Sequence, residues 1–226
     1  MSSARDHAAV RHAVIEWDGT LRPAWTLLGW VGHLASVQLV EPRGPSSLAD
    51  LVDAGAPVED VVAAYAALLA GRATTVVEAA AQGYAPTILG HLYPHARPLV
   101  AMLHDCGLVV TVTTDAPAEV LATVARPVGL DRVLAPTLGV ERGTYTGGVD
   151  ALAGSLSAKA TLVAALRDQG DLLAVGVGDA ATHEPVLGAA TLAITVEHTP
   201  RRIEPMLRIG HRPVDVAAIR TVLSAD

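Results

Sequence analysis

From residue 93 to residue 196, apolar runs of strand length alternate with segments of helical spacing, and this alternation constrains the fold more than any other feature of the chain. A helix through Pro98-Leu99-Val100-Ala101-Met102-Leu103 runs to Cys106-Gly107, and residues 108–113 follow as a buried strand. Next come a helix over 117–125, a short strand at Val133-Leu134 and a Gly/Thr-rich hairpin over 142–148. A helix over 158–168, a strand over 172–177, a helix over 184–190 and a strand over 192–196 complete the series, and a last helix is expected over 214–223. Strands joined through helices run parallel, so the expected class is α/β: a Rossmann-like parallel sheet core with helices on both faces. Hydrophobic residues make up 51% of the chain without one phenylalanine, and small Ala, Val and Leu side chains suit helices packed closely on a sheet.

The run His12-Ala13-Val14-Ile15 supplies a first strand, but no second strand follows it for some ninety residues. Residues 23–90 are instead rich in Ala, Leu and Val, with helical spacing in Val61, Val62, Tyr65, Leu68 and Leu69. Glu41-Pro42-Arg43-Gly44-Pro45-Ser46-Ser47 interrupts them as a loop. The expected organisation is therefore an α/β core from residues 1–22 and 91–226, with an all-helical insertion over 23–90. A chain of 226 residues is long enough for both.

Ligands of open parallel sheets sit beyond the carboxyl ends of the strands. There the first run ends in Glu16-Trp17-Asp18-Gly19-Thr20, whose two acids, two residues apart, share a face in extended chain. Thr113-Thr114-Asp115 ends the second run, Gly178-Asp179 ends a later one with His183 close behind, and Lys159 opens a helix. Carboxylates, hydroxyls, an ammonium group and a glycine turn at one rim suit a phosphoryl group and a divalent cation. Trp17 is expected to pack beneath the strand. Arg22, Trp25, Trp30, Arg72 and Tyr84 are the insertion's candidates to face the rim, although aromatics at helical spacing more often belong to a core.

Several classes are disfavoured. A net charge of −7 gives no general attraction to a phosphate backbone, so no nucleic-acid partner is expected. The single cysteine, Cys106, excludes an internal disulfide framework and is expected as a buried apolar thiol. Neither a leader nor an uninterrupted span of membrane length is present, so a cytoplasmic protein without a membrane partner is expected. His33, His91, His95 and His198 lack the HExxH spacing of a zinc site, and neither a GxGxxG strand turn nor a GxSxG elbow occurs.

The chain resembles the haloacid dehalogenase (HAD) superfamily, in particular the branch of phosphoserine phosphatases that carries a helical cap after the first strand. The resemblance spans about residues 12–206 and rests on four motifs in order. Glu16-Trp17-Asp18-Gly19-Thr20-Leu21 matches the first, Val109-Val110-Thr111-Val112-Thr113 the second, Ser157-Ala158-Lys159-Ala160 the third, and Gly178-Asp179-Ala180-Ala181-Thr182-His183 the fourth. The resemblance implies that Glu16 attacks phosphorus, Asp18 protonates the leaving oxygen, Thr113 binds phosphoryl oxygens and Lys159 offsets their charge. It implies a magnesium ion held by Glu16, the Asp18 carbonyl and Asp179, and it puts Gly19, Thr20, Arg22, Thr114 and His183 at the substrate. Two positions depart from the pattern, since Glu16 and His183 stand where the family carries aspartates. The extra methylene of Glu16 displaces its oxygens by roughly 1 Å, a shift that can change a rate by about 100-fold.

Three functions follow as alternatives. The first is a magnesium-dependent phosphohydrolase of a small, anionic phosphorylated metabolite, working with an altered nucleophile. The second is an enzyme on the same scaffold that uses Glu16 or Asp18 for metal-independent acid/base chemistry. The third is a non-catalytic binding protein, and the oligomeric state stays open in all three.

Overall fold

In the computed structural model, which describes residues 9–179, 181–199 and 204–225, β1 (Arg11–Glu16) occupies the middle of a seven-stranded sheet. It can do so because both of its faces are apolar. Ala13 and Ile15 point into the larger core cluster with Leu99, Leu103 and Ile219, while Val14 meets Leu166, Leu173 and Val186 on the other side.

After β1 the chain forms four helices, α1 (Thr26–Ser36), α2 (Gly44–Asp53), α3 (Val58–Leu69) and α4 (Thr74–Gly90). It then returns through α5 (Ala96–Asp105), β2 (Val109–Thr113), α6 (Ala118–Val128) and β3 (Arg132–Leu134). The hairpin of β4 (Thr137–Glu141) and β5 (Thr144–Ala151) forms a separate two-stranded sheet. The remaining elements are α7 (Leu156–Asp168), β6 (Leu172–Gly178), α8 (Glu184–Ala189), β7 (Leu192–Glu197), β8 (Met206–Ile209), β9 (Arg212–Val214) and α9 (Val216–Leu223).

The strand order is β3-β2-β1-β6-β7-β8-β9. β3, β2, β1, β6 and β7 are parallel, as the helical crossovers require, and β8 and β9 extend the edge antiparallel. Register sets the site. Glu16 pairs with Thr113 and Ile15 with Val177, so the ends of β1, β2 and β6 lie side by side at one rim.

Three local expectations change. The loop expected at 41–47 is half helix, because Gly44-Pro45-Ser46-Ser47 forms the first turn of α2, where proline has no intrahelical N–H to lose. β8 and β9 were not anticipated; at four and three residues they are too short to show a period of two. They also consume Val214, so the last helix starts later, at Val216, and the Asp215 carboxylate caps it by accepting from Ala218 N at 2.8 Å. No helix among the described residues is long and apolar enough to cross a membrane.

The inserted helices dock on the rest of the chain through α4 against α6 and α3 against β5. A polar relay joins the two parts. Trp30 Nε1 donates to Tyr65 Oη at 2.9 Å, Tyr65 Oη donates to Glu119 Oε2 at 3.2 Å, and Tyr145 Oη donates to Glu119 Oε1 at 2.9 Å. Burial, reinforced by the Glu119 charge, pushes the Tyr65 hydroxyl far above its usual range, so it stays a donor at all ordinary pH. Glu119→Ala would orphan two buried hydroxyls at about 1–3 kcal/mol each. For a chain of this size a melting temperature lower by roughly 5–10 °C is expected by calorimetry; a drop below about 2 °C would show that neither hydroxyl depends on the carboxylate.

Candidate active site

Where β1 ends the chain turns sharply, with Leu21 N donating to Trp17 O at 2.9 Å and Gly19 at a φ of 78° that favours glycine. Trp17 lies fully buried beneath this turn and donates from Nε1 to Thr26 Oγ1 at 2.9 Å. The turn aims the two acids at one cavity of about 540 Å³, and each acid meets its own partners.

Glu16 is held by the later elements. Its Oε1 accepts from Lys159 Nζ at 3.2 Å and from Thr182 Oγ1 at 2.7 Å, and its Oε2 accepts from Asp179 N at 3.3 Å. Lys159 is 1% exposed although it sits in the first turn of α7, and its ammonium also donates to Thr182 O at 2.5 Å. Asp179 Oδ1 accepts from the backbone of Ala181 and Thr182 at 2.9 and 2.7 Å. Burial would raise the Asp179 pKa, but its hydrogen bonds with Thr182 and Ala181 and the nearby Lys159 charge hold it below the usual carboxylate range.

Thr182 ties the group together. Its hydroxyl lies 2.7 Å from Glu16 Oε1 and 2.9 Å from Asp179 Oδ2, yet it carries one proton for two acceptors. The surplus negative charge between these oxygens suits a hard divalent cation, and all the donors are oxygen. Among the described residues no group of three or more His, Cys, Asp and Glu side chains could hold a metal, so a backbone carbonyl such as that of Asp18 would be needed in the set.

Asp18 is held differently. Thr26 donates to it twice, from N to Oδ2 at 2.9 Å and from Oγ1 to Oδ1 at 2.5 Å, and Arg22 Nη1 stands 3.6 Å from Oδ1. Burial nonetheless pushes its pKa up to about 6, outweighing the Thr26 hydrogen bonds and the Arg22 charge, with Glu16 adding to the rise. One carboxyl at the rim is thus fixed by an ammonium group, and the other is poised to exchange a proton.

The expected site residues fall into two groups. Glu16, Asp18, Gly19, Thr114 and Asp179 line the cavity, facing Ala24, Trp25 and Val58 of the insertion. Lys159 reaches it through Glu16. Thr113, Thr20, Arg22 and His183 are buried away from the wall. Thr113 Oγ1 and Thr20 Oγ1 have no hydrogen-bond partner, while Thr114 Oγ1 lies at the wall and accepts from Ala116 N at 2.9 Å. Arg22, expected at the substrate, turns to the far side of Asp18, where it donates to Thr26 Oγ1 at 2.6 Å. His183 is fully buried against Gly178; a Cβ at that glycine would come within 2.7 Å of the ring. Burial and the Lys159 charge depress the His183 pKa to about 3, so a neutral imidazole replaces the expected acid. Of the insertion's candidates, only Trp25 lines the cavity; Trp30 and Tyr84 are core and Arg72 is exposed.

Thr26 and Thr182 carry site geometry that the sequence did not signal as such, while Asp115, which the sequence placed at the end of the second run, lines the cavity without having been given a role. Thr182 stood inside the fourth motif at a position the motif leaves open, and Ala180 beside it lies outside the described residues.

The pattern of the haloacid dehalogenase-like hydrolases matches residues 13–182, about three quarters of the chain. Among curated proteins none matches. Solved structures share the fold: a Bordetella pertussis Tohama I protein of unknown function superposes with a TM-score of 0.75 at 21% identity, covering 85% of this chain and 92% of that one. A probable phosphoserine phosphatase of Vibrio cholerae gives 0.66 at 18% identity over 95% of this chain and 64% of its own. A phosphoserine phosphatase of T. onnurineus gives 0.59 at 16% identity over 98% of both chains.

Proposed function

Because the chain belongs to the haloacid dehalogenase-like hydrolases, we propose that it cleaves small phosphate monoesters at the cavity between Glu16 and the inserted helices. The observation that carries this reading is the meeting of Glu16, Asp18 and Asp179 at one wall, with the Lys159 ammonium 3.2 Å from Glu16.

Glu16 Oε1 accepts two strong donors and Oε2 one long one, so Oε2 is the oxygen with electron density to spare. Oε2 attacks phosphorus, the ester P–O bond breaks, and the Asp18 proton goes to the departing oxygen to give the alcohol. Asp18, now a carboxylate, takes a proton from water as that water attacks the phosphorylated Glu16 at phosphorus. The acyl P–O bond then breaks, releasing phosphate and restoring both acids. A pKa of about 6 serves both directions of this transfer near neutrality. Lys159 holds Glu16 in place and offsets charge gathered on the phosphoryl oxygens. Magnesium, held by Glu16, Asp179 and the Asp18 carbonyl, would supply further positive charge against those oxygens.

One observation favours metal-independent acid/base chemistry as a second reading: Lys159, Thr182 and the Asp179 amide already engage Glu16. Phosphate release from a panel of monoesters, with magnesium and with chelator, separates the two. Release with magnesium that EDTA abolishes is the expected result. Turnover insensitive to EDTA would favour the second reading, and no release at any pH across the panel would sink the hydrolase reading.

A further inference from the structure

Asp115 takes no part in the chemistry proposed above, yet it is built into the same cavity. It follows Thr114 just beyond β2, and its Oδ1 is buried without a hydrogen-bond partner. Across from it is Gly154, where even a methyl group would overlap the whole carboxyl group, so glycine is what leaves room for this acid. Asp115 also shares a narrow recess of about 10 Å³ with Asp18, Trp25, Leu27 and Val58. Since Asp18 is the acid that meets the departing oxygen, this recess lies on the leaving-group side.

We propose that Asp115 and Trp25 form a subsite for an ammonium group on the leaving alcohol, so that the favoured substrates are phosphate esters of short amino alcohols. An under-bonded carboxylate attracts an alkylammonium by its charge, and an indole attracts it by its quadrupole. A neutral leaving group would leave Asp115 Oδ1 buried without a hydrogen-bond donor. A leaving group with its own carboxylate would meet the like charge of Asp115, whose pKa burial raises against the opposing Lys159 charge, with Glu16 and Glu59 near enough to add to the rise. Behind Asp115 and Trp25 the recess has room for about one water before Leu27 and Val58 close it, so the leaving group must lie in the main cavity that both residues line.

This inference rests on the hydrolase reading, and its test separates the two. The full chain is assayed with magnesium on aminoethyl phosphate and on propyl phosphate, which differ by an ammonium in place of a methyl group. Independently, ethanolamine alone is titrated while tryptophan emission is read; Trp17 and Trp30 are fully buried, so Trp25 reports the cavity. The expected result is a kcat/KM preference of at least about tenfold for the amino ester, a ratio near one in Asp115→Asn, and emission quenching by ethanolamine that Asp115→Asn loses. Equal turnover of both esters without quenching overturns the subsite and leaves the hydrolase standing. Quenching that needs Asp115, with neither ester cleaved, keeps the subsite and removes the hydrolase. A preference that survives in Asp115→Asn overturns the role of Asp115, and absence of both turnover and quenching removes both claims.

Discussion

Glu16→Gln is expected to lower phosphate release at least about a thousandfold, because an amide keeps the shape of the side chain but cannot attack phosphorus. It also removes the counter-charge of Lys159, whose side chain is 1% exposed. Leaving such a charge unpaired is destabilising, so a fall in melting temperature should accompany the lost turnover. Glu16→Asp is the more discriminating change. The shorter acid withdraws about 1 Å from Lys159, Thr182 and the Asp179 amide together, and a rate lower by roughly 10- to 100-fold is expected. The pattern of the family would suggest the reverse, since aspartate is its usual nucleophile. A Glu16→Asp protein faster than the wild type in single-turnover assays would show that Thr182 does not set the position of the attacking oxygen.

The second large effect is on stability in acid. His183 is fully buried with its pKa depressed from 6.5 to about 3, so the folded chain refuses a proton that the unfolded chain accepts. The sign follows from that difference. Its stabilising effect is complete above the unfolded value of 6.5 and is lost progressively as pH falls toward the folded value of about 3. At about pH 5 the loss is on the order of 2 kcal/mol from this one side chain. His183→Leu keeps an apolar group against Gly178 and removes the titration. Urea unfolding at a series of pH values should show a flatter acid limb for the variant than for the wild type. Parallel curves would mean that His183 is protonated in the folded protein or gains a partner on acidification.

Much of the fold was legible because it is written in local periods. The apolar run at residues 12–15 marked a first strand, and the alternation of strand and helix from residue 93 onward implied a parallel sheet; the central place of β1 came only from the structure. The edge strands β8 and β9 were not legible, since three or four residues cannot display a period and an edge needs few apolar side chains. At the site, the placement of Glu16, Asp18 and Asp179 at strand ends was legible for the same reason as the strands. The position of Arg22 off the cavity wall was not legible: an arginine four residues after an aspartate in a turn can fold back on it, as Arg22 does against Asp18 and Thr26, and nothing in composition distinguishes this from an outward side chain.

The amino-acid sequence by itself determined the parallel part of the sheet and the helices between its strands, because side-chain period and chain order settle burial and strand direction over short spans. Tertiary structure alone decided what each acid touches. Glu16 and Thr182 are 166 residues apart in the chain and 2.7 Å apart in space, and Asp18 owes its raised pKa to burial that no neighbour in sequence reveals. Hydrogen-bond partners and local dielectric depend on how distant segments pack, and it is these that tie Glu16 to an ammonium group and raise the pKa of Asp18.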